Sequence, residues 1–163
     1  MKYYTIYQSS IGEIYVVADE NHIVALHIGN EDFLESEKEE VQKNSSHPLL
    51  MQAVQQLDEY FSGKRKDFDL PLQEKGTIFQ TRVWNELKKI PYGTTISYQD
   101  VATAIGNTKA VRAIGQANKA NKLPIIIPCH RVIGKDQSLT GYAGTQVHIK
   151  EKLLELEGAF FKK

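Results

Sequence analysis

Residues 96–121 read ISYQDVATAIGNTKAVRAIGQANKAN, and the punctuation of this stretch decides how the second half of the chain folds. Ser97 is placed to cap a short helix over Tyr98 to Ile105, with Asp100 three residues on in an acidic capping pattern. Gly106-Asn107 turns the chain, and Thr108 is expected to cap a second helix, Lys109 to Asn118. Two short helices joined by a tight glycine-containing turn form a helix-turn-helix. The second is built largely of small residues, Ala110, Ala113, Gly115 and Ala117. Small side chains let a helix backbone come close to a partner. That partner could be another helix; with Lys109, Arg112 and Lys119 alongside, a nucleic-acid groove is the sharper reading.

Working outward, Thr77 can cap a helix from Phe79 to Lys89 with Phe79, Val83, Trp84 and Leu87 on one face, stopped by Pro91-Tyr92-Gly93. Downstream, Leu123 to Ile127 reads as an apolar strand that delivers Pro128-Cys129-His130. A loop from Gly134 to Gly144 contains Tyr142, and a last helix, Gln146 to Leu156, has Ile149, Leu153 and Leu156 as its apolar stripe. The first part of the chain reads differently. Tyr3–Gln8, Ile14–Ala18 and Ile23–Ile28 are short runs separated by turn residues, the pattern of an antiparallel meander. An acidic segment from Glu31 forms a helix, and Pro48 opens another through Phe61, with Leu50, Val54, Leu57 and Phe61 at helical spacing. Asp67 to Leu72 is extended, and Gln73-Glu74-Lys75-Gly76 is a linker. The expectation is an α+β chain with two domains. Residues 1–75 hold an antiparallel sheet plus helix, and residues 76–163 are mostly helical around the helix-turn-helix.

The 163 residues have 41% apolar and 25% charged side chains, as globular proteins do. No apolar run is long enough to span a bilayer, and the N-terminus lacks the apolar core of a signal peptide. One cysteine precludes an internal disulfide and fits a reducing, cytoplasmic setting. It also precludes a cysteine-based zinc finger within one chain. The net charge of zero hides an uneven distribution. Between Thr108 and Lys135 stand Lys109, Arg112, Lys119, Lys122, Arg131 and Lys135 with no Asp or Glu, whereas Glu31 to Lys43 is acidic. A basic stretch of this kind is either an ordinary solvated face or a phosphate-binding stripe.

The single cysteine, Cys129, sits in the run Ile127-Pro128-Cys129-His130-Arg131-Val132. A lone cysteine is often a small buried hydrophobe. A histidine beside it offers a base, and the thiolate is the nucleophilic form.

Together with Phe79-Gln80-Thr81-Arg82-Val83-Trp84, Ile96-Ser97-Tyr98 and Ala110-Val111-Arg112-Ala113-Ile114-Gly115, this run resembles the O6-alkylguanine-DNA alkyltransferases, also called methylated-DNA–protein-cysteine methyltransferases. The match runs from about Gly76 to Gly158, and the strand-then-helix pattern before it fits the family's ribonuclease H-like first domain. The resemblance implies a cytoplasmic, monomeric DNA-repair protein that needs no cofactor; the zinc in the first domain of some relatives needs cysteines absent here, so no metal is expected. Its partner is double-stranded DNA containing alkylated guanine, or also O4-alkylthymine. The damaged base is flipped out and its alkyl group moves irreversibly to Cys129, once per molecule. By the same resemblance His130 acts as base, through a water, and Glu157 orients it. Tyr98 hydrogen-bonds the guanine and donates a proton, and Asn121 holds the turn before the active-site segment. Arg112 fills the place of the flipped base, with Lys109, Ala113, Gly115, Gln116, Asn118 and Lys119 along the DNA. Tyr98, Pro128, Val132, Tyr142 and Ala143 line the base pocket. Three departures from the family pattern are Lys122 for a proline, Gln137 for a loop glycine and Thr145 for a second glycine.

Three rivals stand against this reading. A damage-sensing relative would lack the acceptor cysteine. A helix-turn-helix regulator would carry base-reading side chains where Ala110 to Ala117 has small ones. A cysteine hydrolase would leave the basic helix-turn-helix unexplained.

Overall fold

In a computed structural model of the protein, residues 1–139 and 147–162 are described. They belong to two units, Met1–Glu74 and Lys75–Lys163. The first begins with β1 (Lys2–Ser9), β2 (Gly12–Ala18) and β3 (Ile23–Ile28), paired antiparallel as the meander pattern predicts. After α1 (Asn30–Ser36), a short strand β4 (Val41–Lys43) joins the far side of β1 in parallel, giving the order β3-β2-β1-β4. The sheet is therefore mixed, not purely antiparallel. Three residues, two of them exposed, are too few to show an alternation that sequence reading could detect.

Strand β2 is central, and Ile14 to Ala18 are all buried because both faces are covered. Tyr15 and Val17 meet Ala25 and Phe33 on the α1 side. Ile14, Val16 and Ala18 alternate to the other face. Helix α2 (Pro48–Phe61), which packs on β1 and β2, keeps the predicted limits: Pro48 opens it and the His47 ring accepts from the Leu49 N–H at 3.2 Å. Its buried face is Leu50, Ala53, Gln56, Leu57 and Tyr60, so Val54 and Phe61 lie off the expected stripe. The reason is Gln56, whose amide exchanges two hydrogen bonds with the Asp69 backbone, at 2.8 and 2.9 Å, and ties the extended segment 67–72 to the helix.

In the second unit, α3 (Ile78–Leu87) starts in a capping box: Gln80 N–H donates to Thr77 Oγ1 at 3.1 Å, and Thr77 N–H donates to Gln80 Oε1 at 2.9 Å. Gly76 must be glycine, since a Cβ there would stand 2.6 Å from Trp84 Cη2. A two-residue strand, β5 (Ile96–Ser97), leads into α4 (Tyr98–Ala104), where Ser97 and Asp100 form the expected reciprocal cap. Helix α5 (Val111–Lys119) begins later than the sequence implied. Ala110 N–H donates to Asn107 O, so residues 107–110 form a turn; Ala110 precedes the helix without a side-chain cap, and Thr108 is not the cap.

The apolar run Leu123–Ile127 is not a strand. All of it but half-buried Ile126 is buried, yet it forms turns: Ile127 N–H donates to Leu123 O at 2.9 Å, and Ile125 has φ +75°. A β-branched residue in the left-handed region is strained. A 3₁₀ turn, Cys129–Arg131, follows, then β6 (Val132–Ile133), which pairs in parallel with β5. Helix α6 (Val147–Glu157) ends at Gly158, whose φ of +71° suits a residue without Cβ. No helix among the described residues is long and apolar enough to cross a membrane.

Candidate active site

The 3₁₀ turn after Pro128 presents Cys129, 2% exposed and the only thiol, next to His130, which is wholly buried. Helix α6 supplies the acid. His130 Nε2 lies 2.7 Å from Glu157 Oε2. The same carboxylate accepts from Arg131 Nε at 2.8 Å and Nη2 at 3.0 Å, and from Gly93 N–H at 3.3 Å. Arg131 Nη1 donates to Ile90 O at 2.7 Å. Glu157 is therefore a fully engaged buried anion, not the exposed helix-end residue that glutamate usually is.

Burial pushes the His130 imidazole below its usual pKa. The hydrogen bond and charge of Glu157 oppose this, while Arg131 and Lys150 add to it. At neutral pH the ring is neutral. A carboxylate only accepts, so the ring proton sits on Nε2 and Nδ1 is left as the basic nitrogen. That tautomer is the one a general base beside a thiol requires.

Lys150 was not expected here. Reading Gln146–Leu156 for apolar spacing selected Ile149, Leu153 and Leu156, but the buried face is Ile149, Lys150, Leu153, Leu154 and Glu157. Two charges seven residues apart on an apolar stripe were the available signal. The Lys150 side chain has no exposed surface to speak of, and its Nζ donates to Val132 O and lies 3.5 Å from Tyr98 Oη. Nζ also stands 5.6 Å from the centre of the Tyr98 ring. Burial lowers the Lys150 pKa from 10.5 to about 8, opposed by the attraction of the Cys129 thiolate. The β5–β6 pairing is what carries Tyr98, at the start of α4, to this cluster.

Asn121 holds the turn before the cysteine by two bonds: its Nδ2 donates to Ile127 O at 2.9 Å, and Leu123 N–H donates to its Oδ1 at 2.9 Å. Pro128 and Val132 are buried beside Cys129. Tyr142, Ala143 and Thr145 lie outside the described residues. Lys122 is exposed, and Gln137 has φ +68°, which accounts for the glycine expected there.

On α5, Arg112, Ala113, Gln116 and Lys119 are exposed, Gly115 is half-buried, and Lys109 is exposed in the preceding turn. Asn118 does not belong to this surface. It is 4% exposed on the face formed with Ile114 and Ala117, because residues four apart share a helix side. Arg131 likewise leaves the basic stripe, being spent on Glu157. Trp84 Nε1 donates to Ala117 O at 2.9 Å and anchors α5 against α3. Among the described residues no group of three or more His, Cys, Asp or Glu is placed to hold a metal ion.

A buried thiol, a neutral imidazole held by a carboxylate, and a buried ammonium beside a phenol can accept an electrophilic group on sulfur and neutralise the departing anion. Comparison with known proteins agrees with this chemistry. Residues 78–159 match the family described as 6-O-methylguanine DNA methyltransferase, DNA binding domain, and residues 2–73 match its ribonuclease-like domain. The methylated-DNA–protein-cysteine methyltransferase (constitutive) of Bacillus subtilis is 52% identical over 165 residues, covering 99% of each chain. A methylated-DNA–protein-cysteine methyltransferase of Methanosarcina acetivorans is 44% identical over 160 residues, covering 96% of this chain and 99% of the relative. The crystal structure of Mycobacterium tuberculosis OGT in complex with DNA superposes with a TM-score of 0.86 at 38% identity, covering 96% of this chain and 92% of that one. Matched in both halves and aligned nearly end to end with such relatives, the chain belongs to the 6-O-methylguanine DNA methyltransferase family.

Proposed function

We propose that this chain is a DNA-repair alkyltransferase, a methylated-DNA–protein-cysteine methyltransferase that removes the alkyl group from O6-alkylguanine in duplex DNA. The observation that carries the reading is the buried His130–Glu157 hydrogen bond of 2.7 Å in the turn that holds the only cysteine. The exposed face of α5 supplies the DNA contact. Small residues permit close approach, and Lys109, Arg112 and Lys119 meet phosphates or the gap left by the flipped base. The base oxygen is not open to in-line attack inside the stack, so the nucleotide must be extruded.

The reaction then balances as follows. His130 Nδ1 takes the thiol proton, through a water. The Cys129 sulfur attacks the alkyl carbon, a carbon–sulfur bond forms, and the carbon–oxygen bond breaks with its electron pair passing to the base. Tyr98 Oη donates a proton to the departing guanine as negative charge develops. Lys150, with its pKa of about 8, stabilises the phenolate and returns a proton to it. A thioether has no easy leaving group, so Cys129 stays alkylated and each molecule reacts once. Cofactors have no step in this scheme. The C-terminal unit holds both the DNA-binding and acceptor groups, and the setting is cytoplasmic.

Intact-protein and peptide mass spectrometry with a duplex carrying one O6-methylguanine tests the proposal. One methyl gained on the Cys129 peptide, saturating at one per protein and absent in Cys129→Ser, is the expected result. Tight lesion binding without transfer would make the chain a damage sensor instead.

A further inference from the structure

Asn118 closes the buried face of α5, one turn after Ile114, and its Nδ2 donates to the main-chain oxygen of Cys129 at 3.3 Å. That oxygen also accepts the Val132 N–H that closes the 3₁₀ turn. The nucleophile's carbonyl thus receives one bond from its own turn and one from α5. Chemistry sets the amide's orientation: turned over, Oδ1 would face the carbonyl, acceptor against acceptor. In the orientation that donates, Oδ1 is buried and has no hydrogen-bond partner among the described residues. An unpaired buried acceptor lowers stability, and an apolar side chain of equal size would avoid the loss. Packing therefore does not account for an amide at this position, but its bond to Cys129 does.

We propose that Asn118 is a positioning residue for the transfer, an inference that rests on reading Cys129 as the alkyl acceptor. Its bond fixes the plane of the peptide between Cys129 and His130. That plane sets the directions in which the thiol and the imidazole leave the backbone. Displacement at carbon needs sulfur, carbon and departing oxygen in line, so a small rotation of this peptide is costly in rate. The same helix offers Arg112, Gln116 and Lys119 on its opposite, exposed side. One helix then meets DNA on one face and holds the nucleophile's backbone with the other.

Asn118→Leu and Asn118→Asp, compared with wild type on the lesion duplex, test this. For Asn118→Leu the expected result is an unchanged or higher melting temperature, affinity for undamaged duplex within about twofold, and a saturated single-turnover transfer rate at least about tenfold lower. The buried carboxyl that Asn118→Asp introduces donates to Cys129 O only when protonated. The rate of this variant relative to wild type rises as pH falls from about 8 to about 5.5, opposite to the trend of the thiol and imidazole themselves. Transfer by Asn118→Leu at the wild-type rate overturns the inference, as does a pH-independent ratio for Asn118→Asp. Weakened DNA affinity with the saturated rate intact also overturns it, making Asn118 a DNA contact. Wild type that fails to alkylate Cys129 would instead sink the functional reading beneath it.

Discussion

Replacing Lys150 by Met separates stability from activity in opposite directions. The fall in pKa from 10.5 to about 8 means that carrying the ammonium at neutral pH costs about 3 kcal/mol relative to the neutral amine. Lys150→Met removes that cost and keeps most of the volume. It also takes the partner from Val132 O, which is worth about 1–3 kcal/mol. At pH 7 the variant should therefore match or exceed wild type, by up to about 2 kcal/mol. Between about pH 8 and 10.5 the unfolded chain keeps the lysine proton and the folded chain does not, so wild-type stability rises with pH across that window relative to the variant. Urea unfolding of both proteins from pH 7 to pH 10.5 reads this directly. Transfer from a lesion duplex should meanwhile slow by about tenfold or more, because Tyr98 loses its proton source. A stability difference that does not change with pH, or a variant less stable than wild type by more than about 3 kcal/mol at pH 7, would refute the reasoning.

Glu157→Gln leaves the Arg131 guanidinium buried without its anion, so the second unit should lose about 3–5 kcal/mol, and transfer should fall because the His130 ring is no longer held. Denaturation paired with single-turnover kinetics checks both halves of that statement. Arg112→Ala and Lys119→Ala should each lower the salt dependence of DNA binding by about one charge, but only Arg112→Ala should also slow transfer from a lesion duplex at saturation. Gln137→Gly relieves a left-handed backbone and should stabilise the protein by up to about 1 kcal/mol; a loss of stability would mean that the side chain makes a contribution the backbone does not reveal.

Local chemistry was legible without coordinates. The Thr77 cap, the capping pair Ser97–Asp100, the limits of α2 and the three meander strands all follow from rules that act over a few residues. The errors fall where a distant partner overrides a local preference. Leu123–Ile127 has the composition of a strand, but among the described residues no neighbouring strand accepts its backbone, and the Asn121 amide bends it into turns. Val54 and Phe61 lost the inner face of α2 to Gln56 because the Asp69 backbone offered the amide two bonds.

The site divides in the same way. Cys129 and His130 are adjacent in the sequence, and their chemistry could be read from the run that holds them. The sequence by itself thus determined the adjacent thiol and imidazole, the pair of short helices around Gly106 and the family. Only the tertiary structure decided that Glu157 also holds Arg131, that Lys150 is a buried cation beside Tyr98, and that Asn118 faces Cys129 rather than solvent. The physical reason is that a charge or amide on a helix carries no mark of its burial. Whether Lys150 is a solvated surface group or a buried acid with a pKa of about 8 depends on which turn of which other segment folds over it.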